Sequence, residues 1–285
     1  MSDNDSLCTW APLVLPGART CLMRGRANGE RYRIYLWQPP DEVPLEGLPV
    51  IYVLDALAQF ATFADTLQRV SRRPEGTGIR PAVLVGIDFA ETPATSHAAR
   101  QRDYTPGPCR LEPEAGPSHG GAPAFLEFLE HELMAKIERE LPVDTTRRGL
   151  FGHSLAGYFC LWSLVTRPGL FAYHFAISPS LWWDTEAIEA GLTRLTGTPH
   201  EPRAYLAVGG WEGPFAPWQR ASSTLPAQIE RRARRAMAEN ARAFCNGLRD
   251  RLPPDHVRFD LIDGEDHASI VAPAIHRALR FMGGF

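Results

Sequence analysis

A chain of 285 residues, 44% of them hydrophobic, carries enough apolar surface for a large core, and one sheet with its helices can occupy residues 1–285 as a single domain. Thirty basic residues against 33 acidic ones leave a formal net charge of −3, which argues against a nucleic-acid partner; the one basic run, Arg231-Arg232-Ala233-Arg234-Arg235, is expected on the solvated face of a long helix. No apolar run reaches the eighteen or so residues of a membrane span. The polar start Met1-Ser2-Asp3-Asn4-Asp5-Ser6 lacks the basic-then-apolar pattern of a secretion signal, so no membrane association and a cytoplasmic location are expected.

Residues 31–37, Arg-Tyr-Arg-Ile-Tyr-Leu-Trp, alternate in polarity and stop at Pro39-Pro40, as an antiparallel outer strand would. Residues 48–54 form a continuous apolar strand that ends in Asp55-Ala56-Leu57, and residues 82–87 read as a central strand for the same reason. Residues 96–123 hold Pro106, Pro108, Pro113, Pro117 and Pro123 among several glycines. That composition predicts an irregular insertion, and long insertions of this kind form lids or binding loops. Phe125, Phe128, Leu129, Leu133 and Ile137 recur at helical spacing before Pro142, predicting a helix over 125–141.

A short apolar strand, 149–151, then turns through Gly152-His153-Ser154-Leu155-Ala156-Gly157 into the apolar stretch 158–165, which puts Cys160 on a buried helix face. Residues 196–203 are a short polar connection to a strand over 204–208, which ends in Gly209-Gly210-Trp211-Glu212. The last strand, 257–262, runs into the polar loop Asp263-Gly264-Glu265-Asp266-His267-Ala268-Ser269. Strands alternating with helical patterns predict an α/β class with a mostly parallel sheet covered on both faces. The five cysteines, Cys8, Cys21, Cys109, Cys160 and Cys245, are odd in number and scattered, as free thiols in a reducing compartment are. With neither His-x-x-x-His nor Cys-x-x-Cys spacing, no metal and no cofactor are expected.

The turn at Ser154 carries the chemistry. A serine between small residues, where a strand bends sharply into a helix, presents its hydroxyl at the helix N-terminus; this is the nucleophile elbow of an α/β-hydrolase, G-x-S-x-G with Ala156 in the last place. The fold puts its histidine in the loop after the last strand, which makes His267 the base. Chain order in this fold is nucleophile, acid, histidine, so Glu212, at the end of the strand between them, is the expected acid; Asp184, Asp260, Asp263 and Asp266 compete, and a Ser-His dyad stays open. His153 is expected to point away from Ser154 and pack the elbow. Two backbone N–H groups must meet the oxyanion of acyl transfer, and by position these are Leu155 and Leu57.

Tyr52-Val53-Leu54-Asp55, Arg102-Asp103-Tyr104-Thr105-Pro106, the Ser154 turn, Ser178-Pro179-Ser180-Leu181-Trp182-Trp183 and Gly264-Glu265-Asp266-His267 occur in that order along the chain. In this the chain resembles the esterases related to enterochelin esterases, over nearly its whole length; mycolyltransferases and S-formylglutathione hydrolases are wider relatives. The resemblance implies Ser154 as nucleophile, His267 as base, and Leu57 and Leu155 as oxyanion donors. It also implies an ester substrate of small-molecule size, foremost the ester or lactone bonds of a ferric siderophore, with a small-ester carboxylesterase or thioesterase and a non-catalytic binding protein as alternatives. Ala156 and Ala56 stand where that family tends to carry glycine, and a positive φ at Ala56 would be strained by its methyl group. A ferric tris-catecholate is aromatic and polyanionic, so Arg100 and Arg102 are the expected cations, and Trp182, Trp183 and Trp211 the expected flat surfaces.

Overall fold

In this computed structural model residues 10–40, 44–90, 93–113, 118–195, 201–220 and 225–284 are described. Its strands are β1 (Ala18–Arg24), β2 (Arg31–Trp37), β3 (Leu48–Leu54), β4 (Val83–Phe89), β5 (Val143–His153), β6 (Tyr173–Ile177), β7 (Arg203–Gly209) and β8 (Val257–Ile262). They form one sheet in the order β1-β2-β4-β3-β5-β6-β7-β8. β2 pairs antiparallel with β1 and β4, and every pairing from β4 through β8 is parallel. β3 lies between β4 and β5, so the chain steps from β3 to β4 on one side and then crosses back past β3 to β5 on the other, reversing the strand order there. Crevices open beyond the carboxyl ends of strands at such a switch point, and here Asp55 and His153, at the ends of β3 and β5, line one.

The helices are α1 (Ala56–Val70), α2 (Pro74–Thr77), α3 (Pro93–Tyr104), α4 (Ala122–Phe128), α5 (Ala135–Glu140), α6 (Leu155–Thr166), α7 (Thr185–Gly191), α8 (Leu225–Arg235), α9 (Met237–Arg249) and α10 (Val271–Gly283). α1 and α10 cover one face through Phe63, Leu67, Ile275 and Leu279. Phe125, Leu129, Phe159, Leu164 and Phe244 cover the other. All seven residues of β3 are buried, as a parallel strand covered on both sides requires. α6 is buried from Leu155 through Val165 and accordingly lacks a polar stripe. Among the described residues no helix is long and apolar enough to cross a membrane.

Three expectations change. β2 is second from the edge; the outermost strand is β1, whose residues are nearly all solvent-facing and so show no alternation. The insertion expected over 96–123 is helical as far as Tyr104, because α3 turns Ala99, Gln101, Asp103 and Tyr104 inward. Two of those four are polar, which erases the apolar stripe that marks a helix in sequence. The helix expected over 125–141 is a rod whose middle turn, Leu129–Met134, is π-helical. The four described cysteines are unpaired, Cys21 exposed and Cys109, Cys160 and Cys245 buried; Cys8 lies outside the described residues.

Candidate active site

Ser154 sits at φ 60, ψ −117 between β5 and α6, a sparsely populated conformation that lifts its side chain out of the turn. The turn is this tight because Gly152 and Gly157 have no side chain. A Cβ on Gly152 would lie 2.2 Å from the Ala156 carbonyl, and one on Gly157 3.1 Å from the Ile177 carbonyl. Both tight contacts fall on these two glycines, so the buried methyl of Ala156 is accommodated. Ala56 is likewise unstrained: Asp55 takes the left-handed conformation at φ 52, and the Ala56 methyl fills space left by Gly86. Backbone bonds from Ser154 N–H to Ile177 O (2.9 Å) and from Ser180 N–H to Ser154 O (3.0 Å) tie the elbow to the chain after β6.

His267 Nε2 lies 3.0 Å from Ser154 Oγ, and His267 Nδ1 lies 2.7 Å from Glu212 Oε2. An ionised carboxylate can only accept, so Nδ1 donates to Glu212 and Nε2 is left to accept the Ser154 hydroxyl. Glu212 is 6% exposed. Burial opposes its ionisation, but hydrogen bonds from His267, Ser178 Oγ and Gly209 N–H outweigh it and hold the carboxyl below its usual range. Gly209 brings the two loops together: a Cβ there would lie 2.5 Å from the Glu265 carbonyl, and Trp211 N–H bonds that same carbonyl at 2.9 Å.

The other carboxylates are engaged elsewhere. Asp184 caps α7 and pairs with Arg110, and Asp260 is shared by Arg258, Arg277 and Tyr205. Asp266 accepts the N–H groups of Ala268 and Ser269, which shapes the histidine loop. The polar partners of the His267 ring are Glu212 and Ser154, not Asp263. His153 reaches back with Nε2 to His267 O at 2.7 Å, its ring 4.7 Å from the His267 ring. Burial and the neighbouring imidazole push it down to about 4, so it is neutral and donates to that carbonyl.

Two cavities flank this relay. One, of about 190 Å³, is lined by Ser154, Ser180, Trp182, Glu212, His267 and the α8 arginines 231, 232 and 235. The other, of about 590 Å³, has Leu57, Asp88, Arg100, His153 and Ala268 in its wall. Leu155 opens α6, so its N–H has no acceptor within the helix. Leu57 N–H, in the first turn of α1, donates to Asp88 Oδ2 at 2.6 Å.

The sequence model of the "Putative esterase" family matches residues 26–240. The ferri-bacillibactin esterase BesA of Bacillus subtilis is 34% identical over 279 residues, covering 94% of this chain and 90% of the relative. The chain belongs to this esterase family. The siderophore enterobactin esterase of Emericella nidulans is 31% identical, with 86% of each chain covered. Among solved structures, the BES protein of Bacillus cereus superposes with a TM-score of 0.82 at 29% identity, covering 98% of this chain and 99% of that one. The siderophore hydrolase EstB of Aspergillus nidulans does so with 0.81 at 26%, covering 95% and 97%. The fold is that of the α/β-hydrolases.

In this esterase the residues expected to bind substrate divide. Trp182 lines the smaller cavity under Arg235, whose guanidinium carbon is 3.8 Å above its ring centre. Trp183 is 2% exposed and donates Nε1–H to Gly107 O at 3.0 Å, a core role. Trp211 packs edge-on against Trp218, outside the cavity wall. Arg100 forms a two-pronged pair with Asp55 at 2.8 and 2.9 Å and borders the larger cavity. Arg102 is placed away from both cavities: it grips the buried Asp103 at 2.7 and 3.0 Å and Glu30 at 2.9 Å, so its charge is spent inside the fold.

The cations facing Ser154 come instead from the run read as a solvated face. Arg232 stacks 3.9 Å over Phe215 and donates to Trp211 O, Pro214 O and Gln219 Oε1. Arg235 pairs with Glu112. Arg231 is exposed and has no ion pair among the described residues. Consecutive arginines at one end of a helix necessarily point in several directions, and that spacing was the available signal. Ser180, 3.4 Å from Ser154 Oγ, also went unread within its motif.

Proposed function

We propose that this esterase is a serine hydrolase that cleaves ester bonds of a siderophore, with Ser154 as nucleophile, His267 as base and Glu212 as the acid that orients it. The observation that carries this is the continuous hydrogen-bonded relay from Glu212 through His267 to Ser154, opening into a cavity walled by arginines. His267 Nε2 takes the Ser154 proton as Oγ attacks the ester carbonyl. The tetrahedral oxyanion is met by the N–H groups of Leu155 and Leu57, and its collapse expels the alcohol, protonated by His267. Water activated by the same imidazole then attacks the acyl-serine, releasing the acid and restoring Ser154.

The siderophore assignment rests on charge and on kinship. Arg231, Arg232 and Arg235 beside Trp182 suit an aromatic polyanion such as an iron-loaded catecholate, which carries charge that its iron-free form lacks. The relatives at 34% and 31% identity are named for ferri-bacillibactin and enterobactin. Incubation with ferric and iron-free trilactone siderophores beside p-nitrophenyl esters, followed by mass spectrometry, tests the reading. Linear hydrolysis products from the ferric trilactone are expected. Turnover of p-nitrophenyl esters with no product from any siderophore would make the chain a small-ester carboxylesterase.

A further inference from the structure

The N–H that the mechanism needs from Leu57 is already taken. Asp88, at the end of β4, places Oδ2 2.6 Å from Leu57 N, while its Oδ1 accepts the neighbouring Phe89 N–H at 2.8 Å. A carboxylate and a tetrahedral oxyanion compete for such a donor, because both are anions that N–H groups stabilise and neither tolerates the other nearby. Burial holds the Asp88 carboxyl above its usual range, and the Leu57 and Phe89 N–H groups pull the other way, so it depends on this contact for much of its stabilisation. The surroundings do not replace it. Arg100, the nearest cation on α3, has Nε and Nη2 committed to Asp55, which also takes the Tyr104 hydroxyl and repels Asp88. Arg33 lies opposite Asp88 in the β2–β4 register, with Tyr35 beside it and His153 across the cavity.

We infer that Asp88 is a gate on the oxyanion site, occupying the Leu57 N–H in the resting enzyme and giving it up only to a substrate anchored well enough elsewhere to displace it. The inference rests on the serine-hydrolase reading above. It makes the gate a specificity device. A small ester held only at its reacting carbonyl has little binding energy with which to move Asp88, whereas a polyanion gripped by the α8 arginines has more.

The test is the rate at which paraoxon phosphylates Ser154, together with kcat/KM for p-nitrophenyl acetate and for a ferric trilactone, in wild type, Asp88→Ala and Asp88→Asn. Asp88→Asn keeps the shape and removes the charge, and circular dichroism melts confirm that each variant is folded. Asp88→Ala is expected to speed phosphylation and acetate hydrolysis by about tenfold, the equivalent of one charge-assisted hydrogen bond removed from competition. Asp88→Asn should gain less, and the trilactone should gain less than the acetate. Rates within threefold of wild type or below it in both folded variants would overturn the gate while leaving the nucleophile reading intact. Absence of phosphylation in the wild type itself would overturn both.

Discussion

The two sides of the Ser154 hydroxyl are built by different means. Toward His267, position is set by backbone: a serine at positive φ, glycines at 157 and 209 that admit neighbouring segments, and carbonyl contacts that zip the Glu212 and His267 loops together. Toward the arginines, position is set by other side chains. Arg235 is held by Glu112 and Trp182, and Arg232 by Phe215 and Gln219. Backbone-built geometry tolerates little displacement, which suits proton transfer over fixed distances. A wall of stacked guanidinium groups can adjust, which suits a bulky ligand whose charge matters more than the placement of any one atom.

The first side breaks most completely. Ser154→Ala should lower ester hydrolysis by about 10⁴-fold or more and abolish fluorophosphonate labelling while leaving the melting temperature nearly unchanged, since only a half-buried hydroxyl facing the cavity is lost. Glu212→Gln should follow at about 10³- to 10⁴-fold in kcat, because an amide neither stabilises the imidazolium nor holds the right tautomer. A loss of only a few-fold would mean that Ser154 and His267 work as a dyad and that Glu212 serves chiefly to tie Ser178 and Gly209 together.

That asymmetry also decides what the sequence could reveal. Uninterrupted apolar runs mark β3 and β4, and the strand ends carrying Ser154, Glu212 and His267 can be located because each follows such a run or a glycine turn. Their convergence cannot be located this way, because it depends on β5 and β8 flanking β6 and β7 in the sheet. α3 is hidden because it buries Gln101 and Asp103, and β1 because it buries almost nothing. The arginine wall is hidden for a different reason: no local pattern distinguishes an arginine in water from one stacked on a distant Phe215 or Trp182.

Arg102 tests whether a cation expected from sequence to meet the substrate belongs instead to the scaffold. Arg102→Ala should destabilise the fold by about 2–4 kcal/mol, since Asp103, 1% exposed, would be left buried without its main partner. Urea unfolding measures this, and kcat/KM should change by the same factor for p-nitrophenyl acetate and for a ferric trilactone. A selective loss on the trilactone would return Arg102 to the substrate wall.

Two histidines contribute to the pH response of stability, His174 fully buried and His153 partly so. His153 is pushed down to about 4 and His174 to about 3 by burial. The unfolded chain therefore binds protons as pH falls through about 6.5 while the folded chain does not, and stability is lost on acidification from there toward pH 4 or 3. At pH 5 each contributes a loss of about 2 kcal/mol relative to pH 7.5. Glu212 works in a different window: its lowered carboxyl contributes stability above about 4.5 that disappears only below it. Urea midpoints at pH 7.5 and 5.0 should differ less in His174→Phe than in wild type. An equal difference would remove His174 from the account.

The smallest effect probes the adjustable side directly. Arg231 lines the Ser154 cavity, is exposed, and has no ion pair among the described residues, so its charge is available to a ligand while those of Arg232 and Arg235 also hold the wall. Arg231→Ala should therefore lower kcat/KM for a ferric trilactone by about 2- to 5-fold, the range of an exposed ion pair, and leave p-nitrophenyl acetate untouched. The wild-type preference for the anionic substrate should also shrink as salt rises, since screening acts within about 8 Å at 0.15 M, and that salt dependence should be shallower in the variant. Arg232→Ala should behave differently, lowering both substrates together, because it frees the 211–219 loop, which carries Glu212. If Arg231→Ala instead leaves the trilactone rate and its salt dependence unchanged, the arginines hold the cavity open without reading charge, and the aromatic face of Trp182 becomes the recognition element that remains.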